Sequence, residues 1–221
     1  MPAPLTANHH NNKLPGQIRL LLRRLTIICL PLCLLSFALK AEVPDFILHC
    51  MDCHGENGVS EHSDVPTIAG LSAAYQEASL YAYKDGQRPA IPSSYRRGDL
   101  KRPKTDMKII ADKLDDEQIT YIGLYFAAQR FVPAKQNFNP LLVEQGEKIH
   151  QSQCRRCHRQ GGSRASDDAG LLAGQWSQYL KDTMKFYLDG TRETERKMKI
   201  KLDRLTEQQW QALLAYYASQ Q

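Results

Sequence analysis

Cys50-Met51-Asp52-Cys53-His54 and Cys154-Arg155-Arg156-Cys157-His158 are the stretches that decide how this chain is read. They are one pattern, Cys-x-x-Cys-His, placed twice at a spacing of 104 residues. The match extends outward from them. Ile68-Ala69-Gly70 returns as Leu172-Ala173-Gly174, and Gly86-Gln87-Arg88 as Gly190-Thr191-Arg192, at the same spacing of 104. Beyond that point the offset falls to 91, where Met107 to Leu114 corresponds to Met198 to Leu205. The chain is therefore an internal repeat whose first copy carries 13 extra residues between Pro89 and Asp106. Two copies in 221 residues predict two small domains, each with a thin core that a large bound group would help to complete.

Each copy closes on a helix with a legible start. Asp115-Asp116-Glu117-Gln118 and Thr206-Glu207-Gln208-Gln209 have the form of capping boxes. Apolar residues follow at helical spacing: Ile119, Ile122, Tyr125 and Phe126 in the first copy, Trp210, Leu213, Leu214 and Tyr217 in the second. Leu141 to Gln153 also reads as a helix, and Gly146 within it would let another helix cross closely. No segment shows the alternation of a half-buried strand. The expectation is an all-α chain with a first domain over 42–131, a linker over 132–139 containing Pro133, and a second domain over 140–221.

Residues 1–41 stand apart. Lys13, Arg19, Arg23 and Arg24 precede an apolar run from Leu25 to Leu39, and no acid occurs before Glu42. That is the layout of an export signal peptide. The run, about fifteen residues, is shorter than the roughly 20 that a membrane-spanning helix needs. Cleavage after Ala38 or Ala41 would leave no stable span, and the other reading is a retained anchor. Five of the 29 Lys and Arg lie in this segment, so 24 basic and 24 acidic residues remain beyond it. The excess charge of +5 belongs to the signal, and a nucleic-acid partner has no compositional support. The remaining charge is uneven: residues 42–133 hold 10 basic and 14 acidic residues, residues 134–221 hold 14 and 10.

Two cysteines one helical turn apart can form thioethers to both vinyl groups of a heme, and the adjacent histidine then faces the iron. The pattern assigns Cys50, Cys53, Cys154 and Cys157 to two covalently bound hemes c, and His54 and His158 to their irons. A single motif is also compatible with a zinc half-site or a redox dithiol. Its duplication at equivalent repeat positions behind an export signal argues for heme, which is attached outside the cytoplasm, and the expected location is periplasmic. The second axial ligands must come from elsewhere. Met51 lies inside a motif and Met184 has no counterpart in the first copy, whereas Met107 and Met198 correspond. A methionine flanked by lysine is hard to account for as core packing, so Met107 and Met198 are the expected distal ligands. His49, His62 and His150 do not correspond as pairs and are expected to be surface or structural residues. Irons filled on both faces exchange electrons and offer no position to a substrate.

Cys53-His54-Gly55 with Gly58, Pro66-Thr67-Ile68-Ala69-Gly70, and a Met followed seven residues later by Leu and a final helix resemble the diheme class I cytochromes c of the cytochrome c4 group. Pro133 to Phe138, Gly161-Gly162, Leu172 to Trp176 and the closing Tyr216 to Gln221 are more narrowly similar to the cytochrome subunit of flavocytochrome c sulfide dehydrogenase. The resemblance covers residues 42–221. It implies two tandem class I cytochrome c domains, each wrapped around one covalent heme. It also implies that the carbonyl of Pro66, or one close by, orients the His54 ring; Gly170 stands at that place in the second copy, and no role follows for it. The stretch Ser94 to Lys104 in the insertion is expected to be a solvated loop, its alternative a docking surface for an acidic partner.

Three functions are implied by the resemblance. The chain is the electron-accepting subunit of a complex whose flavoprotein sulfide dehydrogenase subunit oxidises sulfide. Alternatively it is a free shuttle passing electrons to other redox proteins, such as a terminal oxidase. The third is a diheme enzyme acting at its own iron, a thiosulfate dehydrogenase or peroxidase. All four cysteines beyond the signal are consumed by heme attachment, which leaves no thiolate ligand and argues against the third.

Overall fold

A computed structural model of the chain describes residues 42–221, so the export signal expected at 1–41 lies outside the described residues. The first copy contains α1 (Asp45–His54), α2 (Ala73–Lys84), α3 (Met107–Ala111) and α4 (Asp116–Ala127). The second contains α5 (Val143–Ile149), α6 (Ser177–Leu188), α7 (Arg196–Leu202) and α8 (Glu207–Ala218). Among the described residues there is no strand, and one antiparallel bridge joins Ser93 to Thr105. The repeat reaches to the helix ends: α6 is α2 shifted by 104, and α8 is α4 shifted by 91.

Local chemistry explains where these helices begin and end. Both expected capping boxes form, Asp115 with Gln118 and Thr206 with Gln209, and each satisfies two amides that the first turn leaves without helical partners. Ser72 caps α2 through the Tyr75 amide, and Asp106 caps α3 through the Ile109 amide at 2.9 Å. Gly55 stops α1 at φ 81°, ψ 174°, a conformation that is essentially glycine's alone. A Cβ there would lie 2.0 Å from the Val59 carbonyl oxygen. The segment expected as one helix from Leu141 is a composite. A 3₁₀ turn (Pro140–Leu142) leads into α5, and α5 runs on into a π turn (His150–Cys154) closed by Arg155 N–H to the His150 carbonyl at 2.9 Å.

Two apolar cores follow from the two copies. Ile47 of α1 packs with Leu80, Ile119, Ile122 and Phe126 in the first; Ile149 packs with Leu180, Trp210, Leu213 and Tyr217 in the second. The α5–α8 crossing depends on Gly146, where a Cβ would come within 2.0 Å of the Ala212 carbonyl oxygen. The loops repeat as faithfully as the helices. Gly70 N–H donates to Phe126 O and Gly174 N–H to Tyr217 O, both at 2.8 Å.

The two copies are parts of one compact unit spanning Val43–Gln221. The buried Gln175 amide bonds to both backbone groups of Thr67, and Trp176 Nε1 donates to Ser60 O at 3.0 Å. The stretch expected as a linker runs against the second copy. Ala134 N–H donates to Gly174 O at 2.7 Å, and Gln136 bonds to the backbone of Gln175 and Ser177.

Candidate heme sites

In the first copy α1 presents its last turn, with Cys50, Cys53 and His54, to a cavity that α2, α3 and α4 close. Val65, Ile68, Leu71, Leu80 and Ile122 line it, and Met107, the first residue of α3, lines it as well. The structure thus brings all four expected residues of the first site to one apolar cavity. His54 is buried, and its Nδ1 donates to the Pro66 carbonyl at 2.9 Å. A carbonyl only accepts, so Nδ1 carries the proton and Nε2 is left with a free lone pair. Burial lowers the His54 pKa and outweighs the Pro66 bond, which acts in the opposite direction. A neutral ring with one fixed tautomer is what an iron ligand requires.

The cysteines fit thioethers better than thiolates. Burial, and next the neighbouring Cys53, push the Cys50 thiol up to about 12. Burial also raises Cys53 and Cys154. A thiol so reluctant to ionise is a poor nucleophile or metal ligand, whereas a thioether has no charge to bury. All four described cysteines are unbridged. Among the described residues no three His, Cys, Asp or Glu side chains converge as a zinc site would need.

A buried cation completes the fit. Arg88 lines the first cavity and is 6% exposed, yet its polar side-chain partner is the Tyr179 hydroxyl of the second copy, at 2.9 Å. Its guanidinium also lies 4.5 Å from the Tyr83 ring centroid. A buried charge without a counter-ion costs several kcal/mol, and the two carboxylates of a heme would supply that counter-charge. The arrangement is mirrored. Arg192 lies 4.5 Å from the Tyr187 ring centroid, and its charge acts on Tyr75 of the first copy. Burial would raise the Tyr75 pKa, but Arg88 and Arg192 outweigh it and hold it low. Arg88 and Arg192, Tyr75 and Tyr179, and Tyr83 and Tyr187 all recur at the offset of 104, and that recurrence is the signal by which sequence reasoning could have found the tyrosines.

The second site is built on the π turn. Cys154 and Met198 pack against the same core cluster, and His158 is half-buried. Burial and then nearby His150 lower the His158 pKa, while Asp167 and the Gly170 backbone raise it. Gly170, at the repeat position of Pro66, thus acts on His158 through its backbone, a role not assigned from the sequence. It has no side chain for a further reason: a Cβ there would lie 2.8 Å from Tyr75 Oη. His150 is fully buried, with Nδ1 bonded to the Tyr217 hydroxyl at 3.0 Å. It is a structural residue of the α5–α8 crossing, while His49 and His62 are exposed. Met184 packs against the second core and lines a separate cavity between α6 and α8, with Trp210 and Leu214, which includes neither His158 nor Met198.

Comparison with known proteins agrees with this geometry. The family model for cytochrome c matches residues 45–127, and that for cytochrome c oxidase, cbb3-type, subunit III matches 142–216. Cytochrome c4 of Azotobacter vinelandii is 26% identical over 155 residues, 66% of this chain and 70% of the relative. Cytochrome c-554(548) of Halomonas halodenitrificans is 36% identical over 85 residues, 38% of this chain and 89% of the relative. A protein named as a thiosulfate dehydrogenase electron acceptor, from Thiomonas intermedia, is 32% identical over 98 residues, 44% of this chain and 40% of that one. Among solved structures, cytochrome c4 of Acidithiobacillus ferrooxidans superposes with a TM-score of 0.61 at 28% identity, covering 77% of this chain and 98% of that one. Two Cys-x-x-Cys-His motifs, two helical domains around them and these relatives lead to one conclusion: the chain belongs to the cytochrome c family, as a diheme electron-transfer protein of the cytochrome c4 type.

Proposed function

We propose that this chain is a periplasmic electron relay that takes electrons from a dehydrogenase of reduced sulfur compounds and passes them to another redox protein. Each bound heme supplies a one-electron couple. His54 and His158 would hold the irons, with Met107 and Met198 as their second ligands, and thioether ligation would raise the potentials and leave no position for substrate. In this reading the domains span 42–131 and 140–221 and are joined by 132–139. The observation that carries the relay is the Arg88–Tyr179 bond, because it ties the wall of one heme cavity to the other copy at 2.9 Å.

Thiosulfate oxidation is the source the relatives favour, since one of them is named as a thiosulfate dehydrogenase electron acceptor. The cytochrome subunit of a flavocytochrome c sulfide dehydrogenase rests on the resemblance of the linker and second copy alone. Native purification in moderate salt separates the two. The relay reading expects a cytochrome that elutes alone and is reduced when thiosulfate and a thiosulfate dehydrogenase are added. Co-elution with a flavin-containing chain, and reduction by sulfide only, would replace it with the subunit reading.

A further inference from the structure

The 13 extra residues of the first copy lie on its heme motif. Ser93 and Thr105 exchange backbone hydrogen bonds of 2.7 and 3.0 Å, which closes the segment between them into a strap. Inside it the amides of Arg96 and Arg97 donate to the Asp52 carbonyl at 2.8 and 3.0 Å, and Arg102 Nη2 donates to Asp52 Oδ2 at 2.8 Å. Asp52 is the residue just before Cys53 in the attachment motif. Arg96 also pairs with Asp64, and Arg102 lies 3.6 Å from the Tyr95 ring centroid. Three of the strap's five cations, Arg96, Arg97 and Arg102, thus pair within the protein, while Lys101 and Lys104 take part in no ion pair among the described residues; Met51, Asp52 and Cys53 are half-buried.

The second copy has no such segment, because α7 follows α6 after the short stretch 189–195. Arg155, Arg156 and Cys157, the counterparts of Met51, Asp52 and Cys53, are all exposed. Arg155 and Arg156 take part in no ion pair among the described residues; nearby Arg159 and Arg164 pair with Asp167. A thioether would fasten Cys157 to the rim of the macrocycle, and Cys157 is exposed where its counterpart Cys53 is half-buried. Two unpaired cations stand between the attaching cysteines at that point. Electron transfer weakens steeply with distance, and opposite charge steers encounter.

We propose that the chain exchanges electrons with an acidic redox protein through the Arg155-Arg156-Cys157 edge of the second copy, and that the strap closes the equivalent edge of the first. This deepens the electron-carrier reading and rests on it. The test uses the fully reduced holoprotein and hexacyanochromate(III), a redox-inert paramagnetic anion, followed by amide NMR. Broadening is expected at Arg155, Arg156 and Cys157 and not at Met51, Asp52 and Cys53. Replacing residues 94–104 with Gly-Gly, which removes the strap, should extend it to Cys53. In stopped flow, hexacyanoferrate(III) should oxidise an Arg155→Glu/Arg156→Glu variant about ten-fold more slowly at low ionic strength, with the difference lost in high salt.

Both arginines are exposed, so heme content and helical circular dichroism should not change in that variant. Equal broadening at both motifs, broadening at neither, or a rate indifferent to the charge reversal overturns the proposal. Charge-dependent binding to phosphatidylglycerol vesicles without any effect on the oxidation rate also overturns it, in favour of a membrane surface. Heme stoichiometry, measured separately, leaves the diheme reading standing or fallen on its own.

Discussion

Gln175 pairs with Thr67 as one strand pairs with another. The Thr67 amide donates to Gln175 Oε1 at 3.0 Å, Gln175 Nε2 donates to the Thr67 carbonyl at 2.9 Å, and both residues are 1% exposed. The preceding residue, Pro66, holds the His54 ring at 2.9 Å. The contact between the copies therefore ends one residue from the group that orients His54. Leu71 stands at the corresponding place in the first copy, so the lock belongs to one copy and acts on the other.

Gln175→Ala leaves both backbone groups of Thr67 buried and unpaired. The expected loss is about 1–3 kcal/mol of stability, read by denaturant unfolding. The potential of one heme should shift more than that of the other in a redox titration. A variant as stable as the parent would show that the copies are held by other contacts.

Gly146→Ala forces a Cβ to within 2.0 Å of the Ala212 carbonyl oxygen. The α5–α8 crossing must open, at a cost of about 1–3 kcal/mol. Gly86→Ala is the control. That site has φ +72° and nothing within 4 Å of a Cβ, so only left-handed strain of about 1–2 kcal/mol applies. Thermal unfolding should show the first variant losing α5 packing and the second keeping it.

Met107→Ala and Met198→Ala should each remove the methionine-to-iron absorption band of one heme and lower its potential. Each should also let small ligands such as imidazole bind one iron per chain. Loss of neither band would assign the distal positions to other residues.

Arg88→Gln removes the buried cation of the first cavity. The potential of one heme should fall by on the order of tens of millivolts, since a nearby positive charge favours the reduced state. An unchanged pair of potentials would place Arg88 away from the cofactor.

Asp167 gives the pH dependence. Burial would raise its carboxyl, but the Arg159 amide and guanidinium, bonded to it at 2.6 Å, outweigh burial and hold it below the ordinary range. A depressed folded-state pKa contributes stability above the unfolded carboxylate range and loses it as pH falls through the folded value. The loop 159–167 should therefore loosen only in acid. In Asp167→Asn, amide exchange at Arg159 should be fast at neutral pH as well.

The parts legible from sequence are those set by local chemistry. The capping residues at Asp115 and Thr206 and the two attachment motifs require only near neighbours in the chain. Gly146 is legible as a close crossing because a glycine inside a helix costs stability and calls for a reason. What escaped the sequence depends on groups brought from afar. The expected solvated loop is a strap because Asp52 meets its amides. Gly170 has a place because Tyr75 of the other copy fills the space of its side chain. His150 has no histidine counterpart, since its partner at the repeat spacing of 104 is Phe46. Phe46 lies 5.5 Å from Tyr121, and His150 lies 5.6 Å from Tyr217, ring centroid to ring centroid.

The central claim is that both motifs carry heme. A pyridine hemochrome assay on protein matured in a host that attaches heme c, set against protein concentration and intact mass, tests it most directly. Two hemes per chain are expected, with a mass gain of two hemes and no free thiol at Cys50, Cys53, Cys154 or Cys157. One heme per chain, with Cys154 and Cys157 open to alkylation, would contradict it.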